Sequence, residues 1–456
     1  MLKKLYHGAA FYPELWDGEV VRRDIRLMAE TGVNVVRIGE FLWSTIEPAE
    51  GQIDVTPLAD VIGRLHAAGI DTILCTPTAT PPIWYSHGHP ERLFVNAEGM
   101  ALGHGSRQHA CTNHPVFREK AAIIIERLAR ELGRLPGVIG WQLDNEFKAH
   151  VSECMCAECR RLWHAWLEKR YGTVDRLNEL WGTRVWSESY NAFDQVPQPG
   201  PTPFLHNASL QTMYRLFSME KIAEFADEQA AIIRRYSDAP ITHNSSVAFH
   251  LDNERLFRHL DFASLDTYAS SAHYAAYLLN CDLFRNFKPG RPFWIMETSP
   301  SHAGSIASSG VPHPNGYLAA EAVAAYALGA EGFCYWLWRQ QRAGSEQPHA
   351  PSSVPGANPG SGTGTCCKRS GRARRSSPTS SLPVRPRRRS PSPIPTKPKR
   401  FLRPSRTANF ATAGWSAART NACSGRACTG IWFPREPPLR ATSCFGRPSF
   451  RIYLPI

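Results

Sequence analysis

At 456 residues the chain has room for one large α/β barrel plus additions, or for about two or three domains. Its net charge of +12 is unevenly spread: residues 351–456 hold 20 of the 52 Lys and Arg but only one of the 40 acids, Glu436, which leaves 32 bases against 39 acids in residues 1–350. The first 350 residues therefore read as an ordinary, slightly acidic globular protein, which speaks against a nucleic-acid-binding surface there, and no run of ~18 apolar residues marks a membrane span.

The opening MLKKLYHGAAFYPELW lacks the apolar core of a leader peptide, so the expected location is the cytoplasm. Twelve cysteines in such a compartment point to reduced thiols or a metal site rather than disulfides. Along residues 1–350, short β-rich runs alternate with helical stretches. The first strand is predicted in LYHGAAFY (5–12). A helix follows over 19–29, with Val21, Ile25 and Met28 on one face and Gly32 as its stop. VNVVRIGE (33–40) is the second strand; a helix through Leu58, Ile62 and Leu65 ends at Gly69, and DTILCTPT (71–78) is the third strand. The helix over 115–132 begins with Pro115, which suits a first turn, and VIGWQLDNE (138–146) is the fourth strand. The connection 147–240 must carry extra helices, one of them over 216–236. Four more runs complete the set: ITHNSS (241–246), FASLDTYA (262–269), PFWIMETS (292–299) and GFCYWLWRQ (332–340). Eight strands separated by helices predict an α/β fold, a (β/α)8 TIM barrel, whose active site lies at the C-terminal ends of the strands. The eighth helix is missing, because the text changes character after about His349. The segment 351–456 holds 16 of the 36 prolines and no apolar periodicity, so it is expected to be a disordered basic tail. It reads as an arm attracting nucleic acid, as a linker, or as the out-of-frame translation of a GC-rich gene; the abrupt switch favours the last.

Strand ends four and seven carry Glu146 and Glu297. Two carboxyls facing each other across a barrel mouth are what a retaining glycosidase needs, one as acid/base and one as nucleophile, ~5–5.5 Å apart. The competing role for a strand-end acid is to cap a helix or pair with an arginine. Asn145 is placed to bond a sugar hydroxyl. Cys154, Cys156 and Cys159 in CMCAEC, with Cys111 from the loop after strand three, have the makings of a closed four-cysteine zinc site, or else pack as small apolar thiols as Cys75, Cys281 and Cys334 are expected to do. Trp163, Trp166 and Tyr171 read as core, and His104, His109 and His114 as loop residues. No phosphate loop, G-x-S-x-G elbow or H-E-x-x-H motif is present.

The motifs FYPELW (11–16), RIGEFLWSTIEPAEG (37–51), TPTATPPIW (76–84), WQLDNE (141–146), YGTVDRLNELWGTRVWS (171–187), THN (242–244), IMET (295–298) and WRQQRAGSEQPH (338–349) together resemble the glycoside hydrolase family 42 β-galactosidases over residues 1 to about 350. The resemblance implies Glu146 as acid/base and Glu297 as nucleophile. It implies Arg107, Asn145, Tyr268, Glu346 and His349 as sugar ligands, Trp336 and Trp186 as apolar contacts, and a structural zinc on Cys111, Cys154, Cys156 and Cys159. The substrate implied is a terminal, non-reducing β-D-galactoside, and a catalytically dead sugar-binding barrel is the alternative. The family's homotrimer contacts lie in a second domain that is not recognisable here. The family's N-W after the nucleophile is replaced by SPSHAGSIASSG, which has no aromatic residue.

Overall fold

The structure, a computed structural model, describes residues 4–352. Its strands are β1 (Tyr6–Ala10), β2 (Val35–Ile38), β3 (Asp71–Cys75), β4 (Val138–Gln142), β5 (Ile241–Thr242), β6 (Asn244–Ser245), β7 (Ser264–Asp266), β8 (Phe293–Glu297), β9 (Gly304–Ser305), β10 (Ser308–Ser309) and β11 (Ala330–Tyr335). The helices are α1 (Gly18–Thr31), α2 (Trp43–Ile46), α3 (Thr56–Ala67), α4 (Ile83–Ser86), α5 (Pro115–Leu132), α6 (Ala157–Tyr171), α7 (Val174–Trp181), α8 (Ala208–Ile233), α9 (Asn253–Phe257), α10 (Tyr274–Phe287) and α11 (Tyr317–Ala327).

Nine strands form one sheet in the order β5-β4-β3-β2-β1-β11-β8-β7-β6, every ladder parallel. Its two ends, β5 and β6, are separated in the chain only by His243, so they are halves of one strand and the sheet closes into the expected barrel. Alternation along the strands sorts side chains into two cores. Val35, Ile73, Trp294 and Cys334 pack inside the barrel, while Val36, Leu74, Ile295 and Phe333 pack outward against the helices.

Local chemistry explains the helix ends. Asp17 accepts from the backbone N–H groups of Glu19 and Val20, which would otherwise be unpaired, and Gly32 closes α1 with φ 85°. α5 opens on Pro115 as expected, and its face of Phe117, Ala121, Ile124, Ile125 and Leu128 is buried. The long connection after β4 holds α6, α7 and α8, which bury a core of their own around Trp163, Trp166, Tyr214 and Phe217. Tyr171 packs at its edge.

Among the described residues no helix follows β11; 336–352 continues as loop. The basic tail expected over 351–456 lies, from 353 onward, outside the described residues. No helix among the described residues is long and apolar enough to cross a membrane.

Candidate active site

The stretch after β4 leaves regular strand geometry at alternate residues. Asp144, Glu146 and Lys148 all have left-handed backbones, φ 52°, 50° and 58°. Such angles cost of order 1–3 kcal/mol each for a non-glycine residue and persist only where the surroundings hold them. Here four successive N–H groups donate to side chains. Asp144 N reaches Thr76 Oγ1 at 2.7 Å, Asn145 N reaches Asp144 Oδ1 at 2.7 Å, Glu146 N reaches Asn244 Oδ1 at 3.1 Å, and Phe147 N reaches His243 Nε2 at 3.2 Å. Because His243 Nε2 accepts, its proton sits on Nδ1, which donates to Leu143 O at 2.8 Å; burial lowers this imidazole to about 4, so it stays neutral. Gln108 clamps the same turn from the neighbouring loop, its Nε2 donating to Glu146 O at 2.6 Å and its Oε1 accepting from His150 N at 3.1 Å.

Glu297 ends β8. Leu265 pairs with Ile295 but Asp266 pairs with Glu297, so the register slips by one residue at Met296. Strict alternation from Ile295, which faces the helices, would turn Glu297 outward as well. The extra residue re-aims it into the barrel mouth, a recurrent use of such irregularities beside active sites. There Glu297 accepts from Arg37 Nη2, from the Tyr268 hydroxyl and, at 3.4 Å, from Asn244 Nδ2, a donor set that suits a carboxylate. Arg37 is fully buried and also pairs with Glu40 at 2.9 Å and donates to Gln142 Oε1 at 3.2 Å. Glu40 accepts in turn from Tyr12 OH, which accepts from Trp336 Nε1 at 2.6 Å.

One oxygen each of Glu146, Asp266 and Glu297 lies within 4.8 Å of the others. The two glutamates thus meet within the spacing of a retaining pair. Their surroundings differ. Burial raises Glu146 to about 7, the nearby Glu297 adds to the rise, and Arg107, whose Nη1 donates to Glu146 Oε2 at 2.9 Å, opposes it. An acid kept protonated near neutral pH beside a carboxylate held by three donors is the division of labour that acid/base and nucleophile require.

A cleft of about 450 Å³ opens over this pair. Of the residues expected from sequence, Arg107, Tyr268, Trp336, Glu346 and His349 line it along with both glutamates. Asn145 lies beneath, donating to Glu146 Oε2 at 3.3 Å and accepting from Asn244 at 3.0 Å. Arg107 bridges to Glu346 Oε1 at 3.2 Å. His349 accepts from Gly304 N at Nδ1, which puts its proton on the buried Nε2, and burial lowers this ring to about 4. Its ring meets Trp336 edge-on at 4.3 Å.

Trp186 is the exception. It does not line the cleft; it is 73% exposed, left-handed at φ 60°, and packs on Phe204 at 5.3 Å. In the single chain the α6–α8 excursion buries its own core and leaves this residue on the outside. Arg37, Phe41, Gln108, Asn244 and Asp266 are site residues that the sequence alone did not single out. The cleft wall where an aromatic residue was missed is the hairpin β9–β10, which presents Gly304, Ser305 and Ser308; Phe41 and Trp336 supply the rings.

The sulfurs of Cys111, Cys154, Cys156 and Cys159 lie within 4.8 Å of one another, with Cys111–Cys159 and Cys111–Cys156 at 3.5 Å. Four sulfurs ~2.3 Å from one ion sit about 3.8 Å apart, so the spacing fits a tetrahedral centre. Val95 N, Cys159 N and Asn113 Nδ2 donate to three of the sulfurs at 3.3–3.4 Å, as partners of thiolates do. Cys75, Cys281 and Cys334 are buried and free, as expected.

A family model described as a β-galactosidase family, glycoside hydrolase 42, matches residues 10–357. The β-galactosidase YesZ of Bacillus licheniformis is 69% identical over 346 residues, covering 76% of this chain and 52% of that protein. The YesZ β-galactosidase of Bacillus subtilis is 68% identical over 348 residues, with 76% and 52% covered. Among solved structures, the β-galactosidase of the Antarctic haloarchaeon Halorubrum lacusprofundi superposes with a TM-score of 0.73 at 34% identity, over 77% of this chain and 55% of that one. The chain spans about half the length of the curated relatives it matches. With a match that runs from the end of β1 through β11 and takes in both strand-end glutamates, the chain belongs to the glycoside hydrolase family 42 β-galactosidases.

Proposed function

We propose that this chain hydrolyses terminal, non-reducing β-D-galactosides with retention of configuration. The observation that carries this is the approach of Glu146 and Glu297 to within 4.8 Å, each with a different set of partners. In the first step Glu297 attacks the anomeric carbon, the glycosidic C–O bond breaks, and Glu146 gives its proton to the departing oxygen. In the second, Glu146 takes a proton from water, the hydroxyl adds to the anomeric carbon, and the bond to Glu297 breaks. Arg107, Glu346 and His349 line the cleft where the sugar hydroxyls would lie, and Trp336 and Phe41 offer apolar faces to the pyranose.

The test is hydrolysis of nitrophenyl β-D-galactoside by the full chain, followed by proton NMR. The first product seen should be β-galactose. The pH profile carries a further expectation. Glu146 must start protonated, so kcat/KM should fall as pH rises through about 7, the value to which burial raises this group. Release of the α-anomer first would sink the proposal, as would hydrolysis that is undiminished at pH 9.

The four-cysteine cluster is proposed as a structural zinc site. It has no open position for a substrate, so the ion would pin the Cys111 loop to the start of α6 without entering the chemistry. Thiolates of this kind belong in a reducing, cytoplasmic setting. The purified chain should contain about one zinc per molecule by mass spectrometry. Cys111→Ser should lose most of it and unfold at least ~5 °C lower, since structural metal binding contributes directly to folding. An equally stable, metal-free wild type would count against the site.

A further inference from the structure

Three carboxyls, not two, converge at the barrel mouth, and their partners are unequal. Glu297 has Arg37 and Glu146 has Arg107. Asp266, only 4% exposed, has no cation of its own. Its Oδ2 accepts from the neutral Asn244 amide at 2.7 Å, and its Oδ1 is buried without any hydrogen-bond partner among the described residues. The ionisable groups around it are Glu146 beyond β4, Glu297 on β8, Arg37 on β2, Tyr268 two residues along its own chain and Cys334 on β11. Arg37 is the one cation in that set, and it is already shared between Glu297 and Glu40.

A further negative charge without a counter-ion of its own is what a buried site disfavours most. We propose that Asp266 works as a neutral carboxylic acid, keeping its proton while Glu146 cycles its own and Glu297 forms the covalent bond. This rests on the glycosidase reading of those two residues. Burial, then Glu297, then Glu146 all push Asp266 well above the ordinary carboxyl range, which agrees with the geometry. A proton on Oδ1 turns an acceptor with nothing to accept into a potential donor, on a carboxyl that has one oxygen within 4.8 Å of the reacting pair; a carboxyl held neutral in an active site is a known device. The other oxygen makes Asp266 a positioning residue. By accepting from Asn244 Nδ2 it fixes which way that amide points, so that Asn244 Oδ1 receives the N–H of Glu146 and Nδ2 reaches Asn145. Asp266 therefore acts on the acid/base through Asn244.

The test compares Asp266→Ala with Asp266→Asn in the full chain. Alanine frees Asn244 to rotate, and kcat on nitrophenyl β-galactoside should drop roughly 100-fold with little change in KM, the scale of a small misplacement of a reacting group. Asparagine mimics the protonated acid in shape and in hydrogen bonding. It should recover most of that loss and leave the basic limb of the kcat/KM profile within ~0.3 pH of wild type. If Asp266 is instead a carboxylate, D266N removes a negative charge beside Glu146 and the limb moves down by about one unit or more, which would overturn the proposal. An infrared difference spectrum between wild type and D266N at pH 7 reads the same proton without turnover. The protonated-carboxyl C=O band should vanish in the variant, and loss of a carboxylate band in its place would overturn the proposal even for a chain that hydrolyses nothing.

Discussion

Glu297→Ala should reduce turnover of nitrophenyl β-galactoside on the order of 10⁵–10⁶-fold, the size of loss that follows removal of a covalent nucleophile. Glu146→Ala should behave differently. General acid catalysis contributes ~10²–10⁴-fold, and the loss should be largest for aglycones that need a proton to depart. With a dinitrophenyl aglycone, which leaves unaided, most of the first step should survive. Azide sharpens the distinction, because it is a small anion that fits a space left by a carboxylate. In Glu297→Ala it should attack the substrate directly and give the α-galactosyl azide in one displacement. In Glu146→Ala it should intercept the galactosyl-enzyme and give the β-azide. The two products report which carboxyl bonds to carbon, independently of how much activity remains. Exchanged products would reverse the roles assigned here, and full activity in either variant would remove the pair from the chemistry. The asymmetry is rooted in the surroundings already described. Glu297 is held by Arg37, Tyr268 and Asn244 as an acceptor, whereas Glu146 is raised to about 7 by burial and by Glu297.

Much of this arrangement is legible in the sequence, for identifiable reasons. Strand and helix periods differ, so the apolar runs that became β1–β4, β8 and β11 and the faces of α1, α3 and α5 can be read from spacing alone. Proline and glycine mark ends where backbone geometry demands them, as at Pro115 and Gly32. Glu146 and Glu297 stand out because acids at the ends of apolar strands are costly unless they face a mouth. What is not legible depends on contacts across long stretches of chain. The run ITHNSS reads as one strand, yet it is interrupted at His243, whose ring bonds Leu143 O and Phe147 N and thereby supports the acid/base turn. Nothing local to IMETS announces the register slip at Met296, which comes from its pairing with β7. Asn244 and Asp266 look like ordinary strand polar residues until folding brings them beneath the two glutamates. Gln108 lies next to Arg107 in sequence but bonds to a turn 38 residues away. Trp186 is the opposite case, a residue whose motif matched while its side chain stayed at the surface.

Arg37→Met should be the most damaging single change to the fold among the residues at the barrel mouth. The guanidinium is fully buried and stands between Glu40, itself fully buried, and Glu297. Replacing it by an apolar chain of similar length keeps the packing but leaves two buried carboxylates facing each other without a cation. Removing one partner of a buried ion pair typically costs roughly 3–5 kcal/mol, because the charge left behind has been taken from water without compensation. The urea midpoint of Arg37→Met at pH 7 should fall accordingly. The origin of the loss can be separated from packing by a second substitution. If the cost is the orphaned charge, Arg37→Met/Glu40→Gln should recover part of it, since glutamine can still accept from Tyr12 OH while carrying no charge. If the cost is only lost volume, the double variant should be no more stable than the single. A drop below ~1 kcal/mol in Arg37→Met would mean that water reaches these carboxylates or that they keep protons, and the electrostatic account of the barrel mouth would fail with it. Activity should fall alongside stability, because Arg37 is one of the three donors that orient Glu297 for attack. At temperatures well below unfolding, that loss should persist in Arg37→Met/Glu40→Gln, where the fold is partly restored but the donor is still missing.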